Sequence, residues 1–314
     1  MKALQNESDL MEFLRDEVEK QKGVCHPIRA GFLERLLVRR VSCKRLHPNP
    51  SDEFCVSEIG PNMGIISNYV KHFVEMKKKG EPIMDEPLFV QKINTGGYRV
   101  LNGHHRWAAA MRLGIASMPV TIVNTASAED IRKMLDESKN DRRVTFDLDE
   151  VVFCPTNDPF TEKSFSPIRL GKKRAGIRRG IPALFSFFST HGYDIWVYSS
   201  NYYSIDDIDN YFKRYSVWVN GIITGKHAVK KKNGNDAGEN VNTVGSGVES
   251  LVASKYKETM HIDNDMILVT YPEKKDFCEI PLGGGRESWS RDVMSEAEKL
   301  VPAGTTVNNG NIGL

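Results

Sequence analysis

Leu10, Met11, Phe13, Leu14 and Val18 recur at near-helical spacing in the opening stretch, which predicts a helix over 7–22 with Ser8 as its N-cap. A second helix is predicted over 27–38, after which VRRVSCKRLHPNP reads as a short strand halted by prolines. GIISNYVKHFVEMKKKG has a helical period and a terminating glycine, Gly80. PLFVQKI and RVLNG flank the turn NTGGY and form a predicted hairpin, because Gly96 and Gly97 supply the positive φ such turns need. HHRWAAAMRLG then reads as a helix, MPVTIV as a strand and AEDIRKMLDESKN as a charged helix.

Beyond KNDRR the pattern changes. Predicted strands over 143–148, 194–199, 217–223, 259–263 and 267–270 alternate with predicted helices over 180–191, 204–214 and 247–256. Such alternation predicts an α/β architecture with a parallel sheet, whose chemistry sits beyond the carboxyl ends of the strands. The chain accordingly divides into a helical extension (1–37), an α+β domain (38–140), an α/β domain (141–300) and a polar, flexible tail (301–314).

Composition narrows the class. With 314 residues and 40% hydrophobic content the chain can bury two ordinary cores. Lys plus Arg (43) nearly balance Asp plus Glu (41), so no global field points to DNA or an anionic membrane. No stretch approaches the ~20 apolar residues of a membrane span, and MKALQNESDLMEF lacks a signal peptide's apolar centre, so a cytoplasmic protein with no membrane partner is expected. Cys25, Cys43, Cys55, Cys154 and Cys278 are scattered without the spacing of a disulfide framework or a zinc site.

The chemistry of the second half starts in RVTFDLDEVVF, where Asp147 and Asp149 follow an apolar strand. Carboxylates at i and i+2 project from one side of a strand end and converge on a small volume, although aspartates there also serve as turn formers. YDIWVYSSN ends a second apolar strand in Ser199 and Ser200, ETMHIDND ends a third in Asp263 and Asp265, and Lys226, Lys230, Lys231 and Lys232 lie between. This ordered set, over about residues 142–285, resembles the haloacid-dehalogenase-like phosphatase superfamily. The resemblance implies a Rossmann-like domain without a large cap and an aspartyl-phosphate mechanism. Asp147 would be the nucleophile, Asp149 the general acid and base, and Ser199 a phosphoryl hydrogen-bond donor. Lys230, with Lys226 and Lys231 as alternatives, would offset charge, and Mg²⁺ would bind Asp147, the Asp149 carbonyl and Asp263, with Asp265 left open as the other metal ligand. Five of the nine residues in GKKRAGIRR are basic, which suits either a solvated flap or the steering of a phosphate-rich substrate.

In the first half, NGHHRWAAA opens a helix with a glycine, two histidines and an arginine, a pattern that suits either ordinary capping and surface contacts or an anion site formed by the free backbone amides with His104, His105 and Arg106. The stretch, with RLHPNPSDEF upstream, resembles the ParB/sulfiredoxin-like fold over about residues 38–130, in the GHHR form of its free-serine kinases. That resemblance implies that Gly103, His104, His105 and Arg106 hold the phosphates of ADP, ATP or another nucleotide, and that Glu53, or else Asp52 or Glu58, is a general base. The GERR form of chromosome-partitioning proteins is absent, and His104 stands where sulfiredoxins carry cysteine. The expected function is a Mg²⁺-dependent phosphohydrolase acting on a phosphorylated substrate and joined to a nucleotide-binding domain. The alternatives are a bifunctional kinase and phosphatase, or a nucleotide- or DNA-associated binding module with an inert second site. Nucleic acid is not the favoured partner.

Overall fold

A computed structural model describes residues 6–56, 59–83, 86–163, 168–170, 173–225, 252, 254–271, 276–283 and 285–301. Packing divides the chain into two compact units between Asn124 and Thr125.

The first unit contains α1 (Glu7–Gln21), α2 (Phe32–Leu37), β1 (Arg40–Ser42), β2 (Leu46–His47), α3 (Met63–Lys79), β3 (Leu88–Lys92), β4 (Tyr98–Asn102), α4 (His104–Arg112) and β5 (Ser117–Ile122). Its five strands are ordered β1-β5-β3-β4-β2. The β3–β4 hairpin is antiparallel, while β5 on β3 and β2 on β4 are parallel. Asn6 rather than Ser8 caps α1, accepting the Asp9 amide at 2.8 Å. The helix predicted over 27–38 shortens to α2, because Pro27 bridges Ile93 and the Ile28 amide donates to the Lys92 carbonyl at 2.9 Å, which holds that stretch extended. The helical extension is not separate: Leu10 and Leu14 of α1 are buried in one cluster with Ile66, Phe73 and Trp107. Helix α4 carries the run Trp107 to Met111 into this core, so its first turn is held rigidly at the end of β4.

The second unit contains α5 (Ala128–Glu137), β6 (Arg142–Asp147), β7 (Phe153–Pro155), β8 (Ile168–Leu170), β9 (Lys173–Ile177), α6 (Ile181–Thr190), β10 (Tyr193–Ser199), α7 (Ile205–Lys213), β11 (Gly221–Thr224), β12 (Glu258–Ile262), β13 (Met266–Tyr271), β14 (Asp276–Pro281) and α8 (Trp289–Leu300). The main sheet has the order β11-β10-β6-β12-β13-β14. Its first four strands run parallel, as expected, whereas β13 and β14 are antiparallel. Val144, Phe146, Met260 and Ile262 face one side and pack against Phe185, Phe188, Phe212, Trp289 and Val293 from α6, α7 and α8. The expected domain start near 141 moves upstream, because Ile131 and Leu135 of α5 are buried with Trp196, Ile223, Val252 and Tyr256 on the other side. The stretch after β6 that reads as irregular holds a π-helical turn, Leu148–Val152, and a small sheet ordered β7-β9-β8. Of the helix predicted over 247–256, only 252 and 254–256 lie among the described residues. No helix among the described residues is long and apolar enough to cross a membrane.

Candidate functional site

In the first unit the chain enters α4 through Gly103, whose φ of 99° no L-residue adopts without strain and whose missing side chain leaves the helix uncapped. Only the Trp107 amide begins the helical ladder, donating to Gly103 at 2.9 Å. The amides of His104, His105 and Arg106 therefore point outward at the positive end of the helix dipole. Arg106 is held beside them by the Glu86 carbonyl at 3.0 Å and by Asn102 Oδ1 at 3.4 Å.

The two histidines tie the loop before α3 to this helix start. His104 Nε2 accepts the Asn49 amide at 3.2 Å and His105 Nε2 accepts the Asn62 amide at 3.1 Å. Accepting at Nε2 leaves the proton of neutral His104 on Nδ1, which lies 3.5 Å from Asp52 Oδ2. Phe54 sits between the rings, stacked on His104 at 5.4 Å and edge-on to His105 at 5.0 Å. The segment carrying Asp52 and Glu53 is thus clamped from both sides. Asp52 is committed, accepting the Phe54 amide at 3.0 Å. Glu53 is exposed and its carboxylate makes no hydrogen bond or ion pair to any described residue, so of these two candidate bases it is the carboxylate left free. Glu58 lies outside the described residues.

Burial pushes His104 down to about 4, against the opposing pull of Asp52, and also lowers His105. In the second unit, burial and then the nearby Arg143 push His261 down to about 4. Unfolded histidines take up protons below about 6.5, whereas these stay neutral until about 4, so the unfolded state binds more protons across that window. Stability is expected to be full above about pH 6.5 and to fall by on the order of 3 kcal/mol per histidine as pH drops toward 4. Urea unfolding at pH 7 and pH 4.5 checks this, and His104→Gln is expected to flatten the slope.

In the second unit Asp147 ends β6 and the π-helical turn folds back on it, the amides of Asp149 and Glu150 donating to its Oδ1 at 2.7 and 2.8 Å. Burial raises the Asp147 carboxyl, with further upward pushes from Asp149 and Asp263. Ser199 Oγ donates to Asp149 Oδ2 at 2.5 Å, and the Tyr203 hydroxyl donates to Oδ1. Tyr203 carries no motif of its own in the sequence beyond following the hydroxyl run in YSSNYY; its phenol is pushed up by burial and by Asp149. Ser199 is 2% exposed, so its hydroxyl positions Asp149 rather than standing open. Asp263 lines the same cavity as Asp147 and Asp265 does not. Its carbonyl accepts the Trp289 indole N–H at 3.2 Å, and Arg178, lying 4.5 Å over that indole, donates to Asn264 at 2.7 Å. Lys226, Lys230, Lys231 and Lys232 lie outside the described residues, as do the side chains of 172–174 in the basic flap. Among the described residues no three His, Cys, Asp or Glu side chains form a metal cage. The expected Mg²⁺ set contains only two carboxylate side chains, with a carbonyl as the third ligand.

Residues 63–139 match the family described as the ParB N-terminal domain, so the N-terminal part of the chain, with the α4 site inside it, is ParB-like. An ATP-dependent L-serine kinase of Staphylothermus marinus is 30% identical over 99 residues, 27% of this chain and 39% of that protein. The chain therefore spans well under half the length of this curated relative. A glutamate-to-glutamine mutant of a free serine kinase in complex with AMP aligns over 85% of each chain at 12% identity with a TM-score of 0.21, too low to support an argument. The relative corrects the expected enzyme class: it is named a kinase, which points away from a phosphatase, and the kinase alternative fits better than the phosphohydrolase reading.

Proposed function

We propose that the N-terminal unit is a nucleotide-dependent kinase acting on a small hydroxyl-bearing molecule, with free serine the first candidate. The observation that carries this reading is the clamping of a free carboxylate, Glu53, to an uncapped helix start: its neighbours Asp52 and Phe54 both touch the histidines that open α4. The ParB-like match and the kinase relative support the same reading.

The free amides of α4 and the Arg106 guanidinium bind the phosphates of ATP or ADP, as anions bind at a helix N-terminus. Glu53 takes the proton of the substrate hydroxyl as its oxygen forms a bond to phosphorus and the bond from phosphorus to the nucleotide oxygen breaks. His104 and His105, neutral at pH 7, fix the loop rather than compete for that proton. Turnover of ATP and ADP is measured with L-serine, L-threonine and a panel of sugars; consumption that depends on a hydroxyl acceptor supports the reading, and none with any acceptor contradicts it.

For the second unit, the D-x-D after the central strand and the strand order support a haloacid-dehalogenase-like fold with a phosphoryl-binding site. The mutual push of Asp147 and Asp263 is what a cation relieves, so these residues fit Mg²⁺, with the Asp149 carbonyl completing the set. Mg²⁺ bound there supplies charge neutralisation for an anionic phosphate. Asp149, oriented by Ser199 and Tyr203, is placed to hold or release a proton. Without nucleotide, Mg²⁺ at about 100 times its dissociation constant is expected to stabilise this unit by about 2.7 kcal/mol. Thermal unfolding of wild type and Asp147→Asn with and without Mg²⁺ checks it; the substitution removes the shift.

A further inference from the structure

Helix α2 is amphipathic, and its polar side is the one that faces the protein. Phe32, Leu33, Leu36 and Leu37 fall at i, i+1, i+4 and i+5, which gathers them into one stripe about 140° wide on a helix of about 3.6 residues per turn. Glu34 and Arg35 occupy the opposite side. A surface helix ordinarily turns such an apolar stripe toward the core. Here the sheet holds the polar side instead: Lys92 Nζ of β3 and the Tyr98 hydroxyl of β4 each donate to the Glu34 carboxylate at 2.7 Å, and the Nε of Arg35 is buried. No residue of α2 is buried, and the four side chains of the stripe are between 44% and 69% exposed.

The stretch before α2 extends the pattern. Lys92 takes Glu34 with its side chain and the Ile28 amide with its carbonyl, and just past that strand Asn94 Nδ2 donates to the Val24 carbonyl at 3.1 Å. Ile28 and Val24 are exposed as well. At about 100 Å² for each partly exposed side chain, the six present roughly 600 Å² of apolar surface. That is the upper end of what a monomer leaves open to water, and patches of this size mark binding surfaces.

We infer that α2 is the centre of a two-fold interface with a second copy of this chain. Doubling the patch buries about 1,200 Å², which is what a stable, specific pair needs at the least. The stripe holds only aliphatic and aromatic side chains, so it is complementary to itself, as an isologous contact requires. It leaves no charge waiting for an opposite one, because Glu34 is neutralised by Lys92. About a two-fold axis the helices cross antiparallel, so the exposed Arg39 side chains beyond their C-terminal ends point apart. The pairing stands or falls independently of the kinase reading.

Sedimentation equilibrium of the full chain from about 1 to 100 µM tests this, with reductant present because Cys278 is exposed. The mass is expected to rise with concentration from that of one chain toward that of two. Leu33→Glu combined with Leu37→Glu is expected to weaken association by about a hundredfold or more, because it forces charge into an apolar contact. Both side chains are exposed in the single chain, so its fold is kept. Phe277→Glu changes an exposed aromatic of the other unit and is expected to leave association unaltered. If the paired glutamates prevent folding, amide exchange of the wild type decides: protection of Phe32–Leu37 that rises with protein concentration supports the interface, and protection that does not contradicts it. A wild-type chain that stays monomeric throughout, as it would if α2 docked onto a different protein, overturns the proposal. So does association that survives the paired glutamates or that Phe277→Glu weakens as much.

Discussion

Glu53→Gln is expected to lower kcat for phosphoryl transfer by about 10²- to 10⁴-fold, the usual loss when a general base is removed, while nucleotide affinity stays within about twofold of wild type. The prediction separates chemistry from binding. Glu53 contacts no described residue through its carboxylate, so the isosteric amide disturbs neither fold nor phosphate site. Asp52→Asn provides the contrast. Asp52 caps the turn at Glu53–Cys55 and faces His104, so its replacement is expected to disturb placement of the loop and raise KM as well as lower kcat. Steady-state kinetics together with nucleotide titration of each variant distinguish the two patterns.

Gly103→Val is expected to abolish nucleotide binding and destabilise the first unit by about 2–5 kcal/mol, combining left-handed backbone strain with overpacking. At φ 99° an added Cβ meets the Leu88 side chain and comes 2.9 Å from Arg106 Nη2. Leu88 is fully buried and cannot yield, so the new side chain displaces Arg106 and the first turn of α4. Gly114→Ala is the control, since Gly114 also has positive φ (66°) but nothing within 4 Å of an added Cβ. Only the backbone term remains there, about 1 kcal/mol, and nucleotide binding is expected to survive. Urea unfolding and calorimetric nucleotide titration read both effects.

The sequence exposed these elements unevenly, for physical reasons. The β3–β4 hairpin and α4 were legible because a glycine pair and a glycine helix start impose positive φ that few sequences tolerate. Strands β6, β10 and β12 were legible as apolar runs ending in polar residues. The π-helical turn after Asp147 was not, because its hydrogen bonds come from the backbone folding onto a side chain already assigned to chemistry. Helix α8 and strand β14 escaped notice: α8 is amphipathic but follows a glycine-rich loop, and β14 is exposed along most of its length and has no alternating pattern. Asp147 and Asp149 lie two positions apart, and the Asp149 amide donates to Asp147, so their pairing was readable. Tyr203 reaches Asp149 across fifty-four positions, a distance only the tertiary fold closes. The ParB-like character of the N-terminal part was legible because GHHR opens a helix at a glycine, whereas the D-x-D drew the expected enzyme class toward hydrolysis, which the kinase relative corrects.

The central claim is that this chain moves a phosphoryl group from a nucleotide to a small hydroxyl compound. Phosphorus-31 NMR of the wild-type chain with ATP or ADP, Mg²⁺ and L-serine tests it most directly. The account predicts a new phosphomonoester resonance growing in step with loss of the nucleotide's terminal phosphate. Unchanged nucleotide signals with serine and with every other hydroxyl acceptor, or release of inorganic phosphate alone, would contradict it.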